Sequence, residues 1–347
     1  MKPSVSVIIP TYKRGHLISC TLDGLRKQTY KPSEVIVVLK YSGDGTEEIL
    51  RQYAQELPIL IVEQKQGYVT DAYNIGLEAA RGQILAFLDD DAIPDRNWLE
   101  EHVAVYERDE SVGGVSGSSI TVMISRDGKI VQIPENDFYS YSRRLKYFNF
   151  PWSRPLAGMS NWLFYFGIDG LVHHDTQLLR SGIKEIHYSL LRMGANMSVR
   201  KEAIRGVRAS EELVLGFTSE QLLSYHIWRR GYVLLFNPYA RVKHITQKES
   251  LGRFYRSHKR AALRDAEFAL TFFSLKPKGE QFSWIAYFLS IIVLAFSRIS
   301  RARENGLLTV VYRVYGLLYG VVTGLAHVLS RFFGQDFSIR ASLSKLL

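Results

Sequence analysis

Three consecutive carboxylates, Asp89-Asp90-Asp91, close the apolar run Ile84-Leu85-Ala86-Phe87-Leu88, and Pro94 breaks the chain shortly after them. Adjacent carboxylates repel one another unless they face water or a divalent cation. Hard carboxylate oxygens suit Mg2+ or Mn2+. The structural alternative is an acidic loop in which Asp91 starts the next helix. A second group of charges lies far along the chain, where Lys248, Arg253, Arg256, Lys259, Arg260 and Arg264 are interleaved with Phe254 and Tyr255. Placed just before an apolar segment, such a stretch meets anionic lipid headgroups or a pyrophosphate-linked substrate; a solvated helix face is the plainer reading.

The elements that would position the carboxylates follow from periodicity. Ile84 to Leu88 reads as a strand buried on both faces, and the carboxyl ends of such strands are where open α/β sheets bind ligands. Val5 to Pro10, stopped by its proline, Glu34 to Leu39 and Ile59 to Glu63 are three more strands. Helical patterns at His16 to Thr29, Glu47 to Glu56 and Thr70 to Ala80 separate them. This alternation predicts a doubly wound α/β unit through about residue 115. Beyond it, Ile120 to Ile133 reads as a hairpin turning at Arg126-Asp127-Gly128-Lys129. Aromatics crowd Phe138 to Phe166, as core or as a platform for sugar rings. Helical patterns at Arg200 to Arg205 and Ser219 to Arg230 precede a strand at Tyr232 to Phe236 that leads into Pro238.

The chain has 347 residues and a formal charge of +10, with 46% hydrophobic and 12% aromatic residues. The excess of cations predicts an anionic partner. No nucleic-acid-reading module accompanies it, so nucleic acid is not expected. A single cysteine, Cys20, excludes an intramolecular disulfide and fits a reducing compartment. No signal peptide is visible before the first strand, which predicts an active part facing the cytoplasm.

Taken together, five segments resemble a family 2 glycosyltransferase of the GT-A fold, membrane-associated and of the prokaryotic surface-glycan type. They are Val7-Ile8-Ile9-Pro10-Thr11-Tyr12-Lys13-Arg14, Gly67 through Asn74-Ile75-Gly76, Phe87-Leu88-Asp89-Asp90-Asp91, Gly194-Ala195-Asn196-Met197-Ser198-Val199-Arg200, and Pro238 through His244. The resemblance covers about residues 4 to 245. It implies a GT-A-type doubly wound mixed sheet flanked by helices, a nucleotide-sugar donor, and roles for named residues. Pro10, Thr11, Tyr12, Arg14 and Asn74 would bind the donor, with Tyr12 stacking on the base and Thr11 bonding its edge. The acidic triplet corresponds to the family's DXD-type motif, with Asp89 and Asp90 towards the ribose and Asp91 on a metal. His244 falls where a histidine completes the metal site or touches the diphosphate, and as a ligand it favours Mn2+ over Mg2+; a structural histidine is the alternative.

The resemblance also implies a carboxylate base. Ser219 and Glu220 stand twelve and eleven residues before Gly231, where the family usually carries a Glu-Asp pair. Glu220 is the expected base, with Ser219 as the helix N-cap; an ordinary helix start looks the same. Glu211 and Glu212 are the fallback. Two departures touch the base of the nucleotide: Leu39-Lys40-Tyr41 replaces the usual aspartate, and Tyr73 replaces the arginine before Asn74. Asp44 is expected to cap a helix. UDP is the expected carrier, with GDP as the alternative.

Two uncharged runs, Trp284 to Ser297 and Val314 to Ser330, are short of or at the roughly 17–25 residues that span a bilayer. Gly316, Gly320 and Gly324 recur every four residues and Ser283, Ser290 and Ser297 every seven, a pattern that lets helices approach closely in lipid. If both runs crossed, Arg298, Arg301 and Arg303 would lie outside, against the positive-inside tendency set by Lys276, Lys278, Arg331, Arg340 and Lys345. A C-terminal α-helical membrane hairpin held at the interface avoids the conflict.

The expected organisation is a nucleotide-sugar-binding half (1–115), an acceptor-binding and catalytic half (116–248), a basic juxtamembrane segment (249–281) and membrane-associated helices (282–347). The expected protein is an inverting, metal-dependent glycosyltransferase on the cytoplasmic face of the cell membrane. It would take a nucleotide sugar and a lipid-linked saccharide acceptor and contact anionic lipid. A catalytically inactive scaffold or sugar-nucleotide sensor is the competing reading. A nucleotidyltransferase is disfavoured because Pro10-Thr11-Tyr12-Lys13-Arg14 is not a glycine-rich phosphate loop.

Overall fold

Four apolar runs form the parallel half of the sheet: β1 (Val5–Thr11), β2 (Glu34–Leu39), β3 (Ile59–Glu63) and β4 (Ile84–Leu88), side by side in the order β4-β1-β2-β3. The structure, a computed structural model, describes residues 2–125, 129–132, 152–191, 194–209, 213–216, 219–245, 257–275, 281–300 and 306–346. Three crossover helices link the strands: α1 (Gly15–Arg26), α2 (Thr46–Tyr53) and α3 (Val69–Ala79). β1 runs through Pro10 rather than stopping there. Past Ile8 it pairs with β2 alone, so the ladder is already open on the other side, where a missing N–H costs little.

The second half of the sheet turns on a reversed strand. After β5 (Ala92–Pro94) and α4 (Trp98–Arg108), the chain forms β6 (Val112–Ile124) and β7 (Ile130–Gln132), which pair antiparallel as the predicted hairpin. The tip of that hairpin (126–128) and most of the aromatic-rich stretch (133–151) lie outside the described residues. The small pair β8 (Phe164–Phe166) and β9 (Val172–His174) and the short α5 (Thr176–Ser181) lead to β10 (His187–Tyr188). β11 (Asn196–Arg200) inserts antiparallel between β4 and β6. A 3-10 turn (Glu202–Ile204) stands where a helix was predicted, and α6 (Ser219–Arg229) precedes β12 (Val233–Ile245), which returns parallel to β6.

β12 does not end at Pro238. Asn237 is opposite Gly117 and Arg241 opposite Ser118, so residues 238–240 bulge out and the proline sits where no ladder bond is required. The Asn196 side chain stitches this bulge, its amide donating to Ser118 O at 2.7 Å and to Ala240 O at 2.9 Å. Its Oδ1 accepts from Trp98 Nε1 at 2.8 Å and lies 3.0 Å from His102 Nε2. A Cβ on Gly117 would come within 2.1 Å of Ala240 O, so only glycine lets the strands meet there.

Two apolar cores cover the sheet's faces. Val5, Val7 and Ile9 point towards α1, α2 and α4, while Ile8 points to the face covered by α3, α6 and the C-terminal helices. Those helices are α7 (His258–Leu275), α8 (Trp284–Ser300), α9 (Leu307–Phe332) and α10 (Ile339–Ser344). α7 occupies the described part of the basic stretch, yet Ala262, Leu263, Ala266 and Leu270 on it are buried. The glycine stripe does permit a close approach, and its partner is α7: a Cβ on Gly316 or Gly320 would fall 2.1 or 2.4 Å from the carbonyl oxygens of Ala262 and Ala266. Ser290 donates to the buried Asp169 at 2.7 Å.

Arg298 is not an interfacial cation. It is buried against Asp265 at 3.1 Å, and Arg313 meets the same carboxylate at 2.6 Å, so one charge on α7 gathers α8 and α9. Arg301 and Arg303 lie outside the described residues. The opposite faces of both helices are apolar and exposed: Ile285, Ile292, Phe296 and Ile299 on α8, and Leu308, Val311, Leu318, Val322 and Leu329 on α9.

The Asn196 cluster makes folding pH-sensitive. Burial pushes the His102 imidazole down to about 4, against the Asn196 contact that favours its charged form. Its folded pKa therefore lies below the ordinary value of 6.5. The stabilisation is complete above the unfolded pKa and is lost as pH falls towards the folded one. Between pH 7 and pH 4 urea-unfolding free energy should fall by about 3 kcal/mol more in the native chain than in His102→Gln. Equal pH slopes would show that His102 does not carry this effect.

Candidate active site

The carboxylates stand where β4 leaves the sheet. Ala92 N donates to Asp89 O at 3.2 Å, which turns the chain, and Thr21 Oγ1 donates to Asp90 O at 3.1 Å. β5 then pairs with the far half of β12, Ala92 opposite His244, and Ile245 N donates to Asp91 O at 2.8 Å. The bulge stitched by Asn196 sets where that half of β12 runs, and so where His244 reaches.

His244 Nε2 lies 3.1 Å from Asp91 Oδ1 and 3.6 Å from Asp89 Oδ2. One ligand atom from each of Asp89, Asp91 and His244 falls within 4.8 Å of the others. Ligands that share an Mg2+ or Mn2+ at about 2.1 Å stand roughly 3–4 Å apart, a range that holds both His244–aspartate separations. Arg14 closes the other side, its Nε 3.6 Å from Asp90 Oδ1 and its Nη2 3.4 Å from Asp91 Oδ2. Arg14, Asp89, Asp90, Asp91 and His244 thus form one constellation.

Its electrostatics reveal a shortage of positive charge. Burial and the Asp91 charge push Asp90 up to about 8. Burial also opposes ionisation of Asp91, but His244 and Arg14 outweigh it and hold that carboxyl below its ordinary value. At His244 burial works against the cation, and the two aspartates overcome it to raise the imidazole to about 10. The cluster therefore retains protons that a divalent cation would displace. A carboxylate–carboxylate–imidazole donor set fits Mn2+, and Mg2+ less well.

The loop after β1 supplies the adjoining wall. Thr11 is buried beside Asp90. Pro10 is half-buried, and Tyr12 is 47% exposed with its ring flanked by Lys13 Nζ at 5.3 Å and Lys40 Nζ at 5.6 Å. Lys13 has a left-handed φ of 58°. Lys40 also donates to Gly67 O at 2.8 Å. Asp44 accepts from Gly15 N at 3.0 Å and from Thr46 Oγ1 at 2.7 Å, which fixes the starts of α1 and α2 as a capping residue would.

Asn74, expected to bind the donor, bonds the backbone of a distant segment. Its side chain is buried and reciprocally bonded to the Ala209 backbone, accepting from N at 2.7 Å and donating to O at 3.2 Å. That amide is a clamp on the chain before α6, and so is Thr70 Oγ1, which donates to Leu213 O at 3.3 Å.

Glu220 stands in the first turn of α6, where Oε1 accepts from Gly194 N at 3.0 Å. Ser219 does not cap that helix as expected; its hydroxyl donates to Gly216 O at 2.7 Å. Glu211 and Glu212 lie outside the described residues. Within reach of the charges of both Glu220 and the aspartates is a residue that the sequence marked only as a departure. Tyr73 is buried, and its phenol is pushed well above its ordinary value by burial and by the charges of Asp89, Glu220 and Asp90. A Cβ on Gly194 would come within 2.5 Å of the Tyr73 hydroxyl and 3.5 Å of Glu220 Oε1, so that glycine leaves room for both. The sequence signal was Tyr73's position beside Asn74.

The chain is similar to known proteins in sequence and in fold. The model of the family described as Glycosyl transferase family 2 matches residues 6–169. The chain is 46% identical over 107 residues to the glycosyltransferase AglE of Haloferax volcanii, across 29% of this chain and 35% of that protein. It is 31% identical over 145 residues to the putative teichuronic acid biosynthesis glycosyltransferase TuaG of Bacillus subtilis, across 40% of this chain and 56% of the relative. These matches thus span about a third to just over half of the relatives' own lengths. Among solved structures, the mannosyltransferase PcManGT from Pyrobaculum calidifontis, in complex with GDP-Man and Mn2+, aligns with a TM-score of 0.54 at 21% identity, over 100% of this chain and 86% of that one. That likeness is one of fold, the GT-A type.

Proposed function

We propose that this chain, whose residues 6–169 match the model of glycosyl transferase family 2, transfers a sugar from a nucleotide-sugar donor to a lipid-linked saccharide at a membrane surface, with inversion at the anomeric carbon. One observation carries the reading: Asp89, Asp91 and His244 converge within 4.8 Å at the end of β4, and buried Tyr73 feels the charges of Asp89 and Asp90 as well as that of Glu220. Tyr12 stacks on the base, and Thr11 bonds its edge. Asp90, beside Arg14, faces the ribose. UDP is the expected carrier and GDP the alternative, since Leu39-Lys40-Tyr41 leaves the base-reading wall without its usual carboxylate.

Asp89, Asp91 and His244 would hold a divalent cation, Mn2+ on the strength of the imidazole. When bound it neutralises the charge that develops on the departing nucleoside diphosphate. Glu220 takes the proton of the acceptor hydroxyl, which attacks the anomeric carbon from the side opposite the leaving group. The Gly194 N–H fixes the Glu220 carboxylate, and the N-terminal end of α6 favours its ionised form.

The exposed apolar faces of α8 and α9 support seating on lipid. Leu308, Val311, Tyr315, Leu318, Val322, Leu325, Leu329 and Phe332 are exposed at alternating spacings of three and four, a single stripe along α9. α9 is 26 residues long and apolar enough to cross a membrane, but its glycine face is committed to α7. Seating in the plane of the interface satisfies both faces, and Lys259, Arg260 and Arg331, all exposed, meet anionic headgroups. The single cysteine, Cys20, is in keeping with the cytoplasmic leaflet.

Glu220→Gln should slow transfer about 10²- to 10⁴-fold while donor affinity stays within about twofold, read by product formation and calorimetry. Retained turnover would remove Glu220 as the base. A native chain that binds a nucleotide sugar but neither transfers nor hydrolyses it would instead favour the inactive sensor. In flotation assays the native protein should rise with phosphatidylglycerol vesicles and be released by alkaline carbonate, and Leu318→Asp/Val322→Asp should stay at the bottom. Native protein that resists carbonate would indicate a spanning helix; native protein that fails to float would rule out the lipid surface.

A further inference from the structure

Arg340, in the last helix of the chain, reaches back to the start of α3. Its Nη1 lies 2.9 Å from Asp71 Oδ1, and its Nη2 pairs with Asp71 Oδ2. The guanidinium carbon stands 5.3 Å from the centroid of the Tyr68 ring. Asp71 is already engaged locally, accepting from Tyr68 N at 2.6 Å. One carboxylate thus joins the 64–71 loop to a helix about 270 positions away.

The loop so held is the one that faces the base-side wall. Gly67 adopts a φ of +95°, and a Cβ there would overlap Asp71 Oδ2 at 2.1 Å, so the carboxylate fills the space under the turn. Gly67 O receives Lys40 Nζ at 2.8 Å, and the same ammonium stands over the Tyr12 ring. Gln64 Nε2 braces the loop from within, donating to Gln66 O at 3.1 Å and Tyr68 O at 2.8 Å. A continuous path runs from Arg340 through Asp71 and Gly67 to Lys40 and Tyr12.

At its other end the path is anchored on α9. Tyr319 OH donates to Ser342 O at 2.9 Å, and Ile339 and Leu343 are buried beneath α10. An isolated surface ion pair would contribute little. This one is bidentate and partly shielded, with side-chain exposures of 28% for Arg340 and 24% for Asp71, and its guanidinium also lies against an aromatic ring.

We propose that Arg340 is a positioning residue for the donor pocket: by latching Asp71 it holds the Gly67–Lys40 contact against Tyr12, so the helices that carry the apolar face shape the wall that receives the nucleotide base. The inference rests on the donor reading of the Tyr12 wall. Arg340 touches no reacting atom, and its loss acts on nucleotide binding rather than on the chemical step.

The test is calorimetric binding of UDP and of GDP, each with Mn2+, to the full chain and its variants, beside transfer kinetics. Arg340→Gln should weaken the bound nucleotide about fivefold and raise the donor KM in step, with kcat within about twofold of native. Arg340→Lys, which keeps the charge but not the fork, should fall between the two. Tyr319→Phe removes the anchor on the far side of α10 and leaves every pocket residue untouched; it should shift affinity in the same direction by less, which also covers an Arg340→Gln chain that does not fold. Native nucleotide affinity in Tyr319→Phe and in folded Arg340→Gln would overturn the latch. A native chain that binds neither nucleotide would instead overturn the donor reading on which the latch rests.

Discussion

The side-chain amide of Asn196 is the contact on which the geometry of the site depends. It closes a bulge between two parallel strands, donating to one backbone carbonyl on each, while its oxygen takes the indole of Trp98 and faces His102. All of these groups are buried, and each one left without a partner would cost about 1–3 kcal/mol. Without the bulge, β12 would continue in register with β6 and its far half would pass β5 at a different residue. With it, Ala92 meets His244 and the imidazole arrives at Asp91. A sheet contact therefore decides which side chains become neighbours at the end of β4.

What arrives there is electrostatically incomplete. Arg14 and His244 face three carboxylates, and burial leaves Asp90 holding a proton up to about pH 8. Protein groups alone settle this cluster only by retaining protons, whereas a divalent cation settles it with charge. The same incompleteness extends towards α6, where burial, with the charges of Asp89, Glu220 and Asp90, holds the proton on the Tyr73 phenol. The aspartates and Glu220 thus act on one buried phenol, and Gly194 leaves room for that phenol beside Glu220.

How much of this was legible follows from how local each signal is. Strands β1, β2 and β4 were readable because burial on both faces demands an unbroken apolar run, and the carboxylates at the end of β4 inherit their place from that run. Pro10 and Pro238 misled because a proline's cost depends on whether a ladder exists on its N–H side, and that is set by strands elsewhere in the chain. Asn74 looked like a ligand for the donor until its amide met Ala209, 135 residues away. The glycines of α9 announced a close approach but not that its partner would be α7. Arg298 counted as an outward charge only while Asp265 was unplaced. His244 and Glu220 were found through the family pattern rather than through any periodicity, and Tyr73 was visible only as a departure from that pattern.

The central claim is that β12 delivers His244 to Asp89 and Asp91 as a ligand set for a divalent cation. Pulsed EPR of Mn2+ added to the full chain with UDP tests it most directly. The account predicts nitrogen coupling from a directly bound imidazole, lost in His244→Ala, and Mn2+ affinity lowered at least about tenfold in Asp91→Asn. Mn2+ that binds with no nitrogen coupling, or with equal affinity in Asp91→Asn, would contradict it.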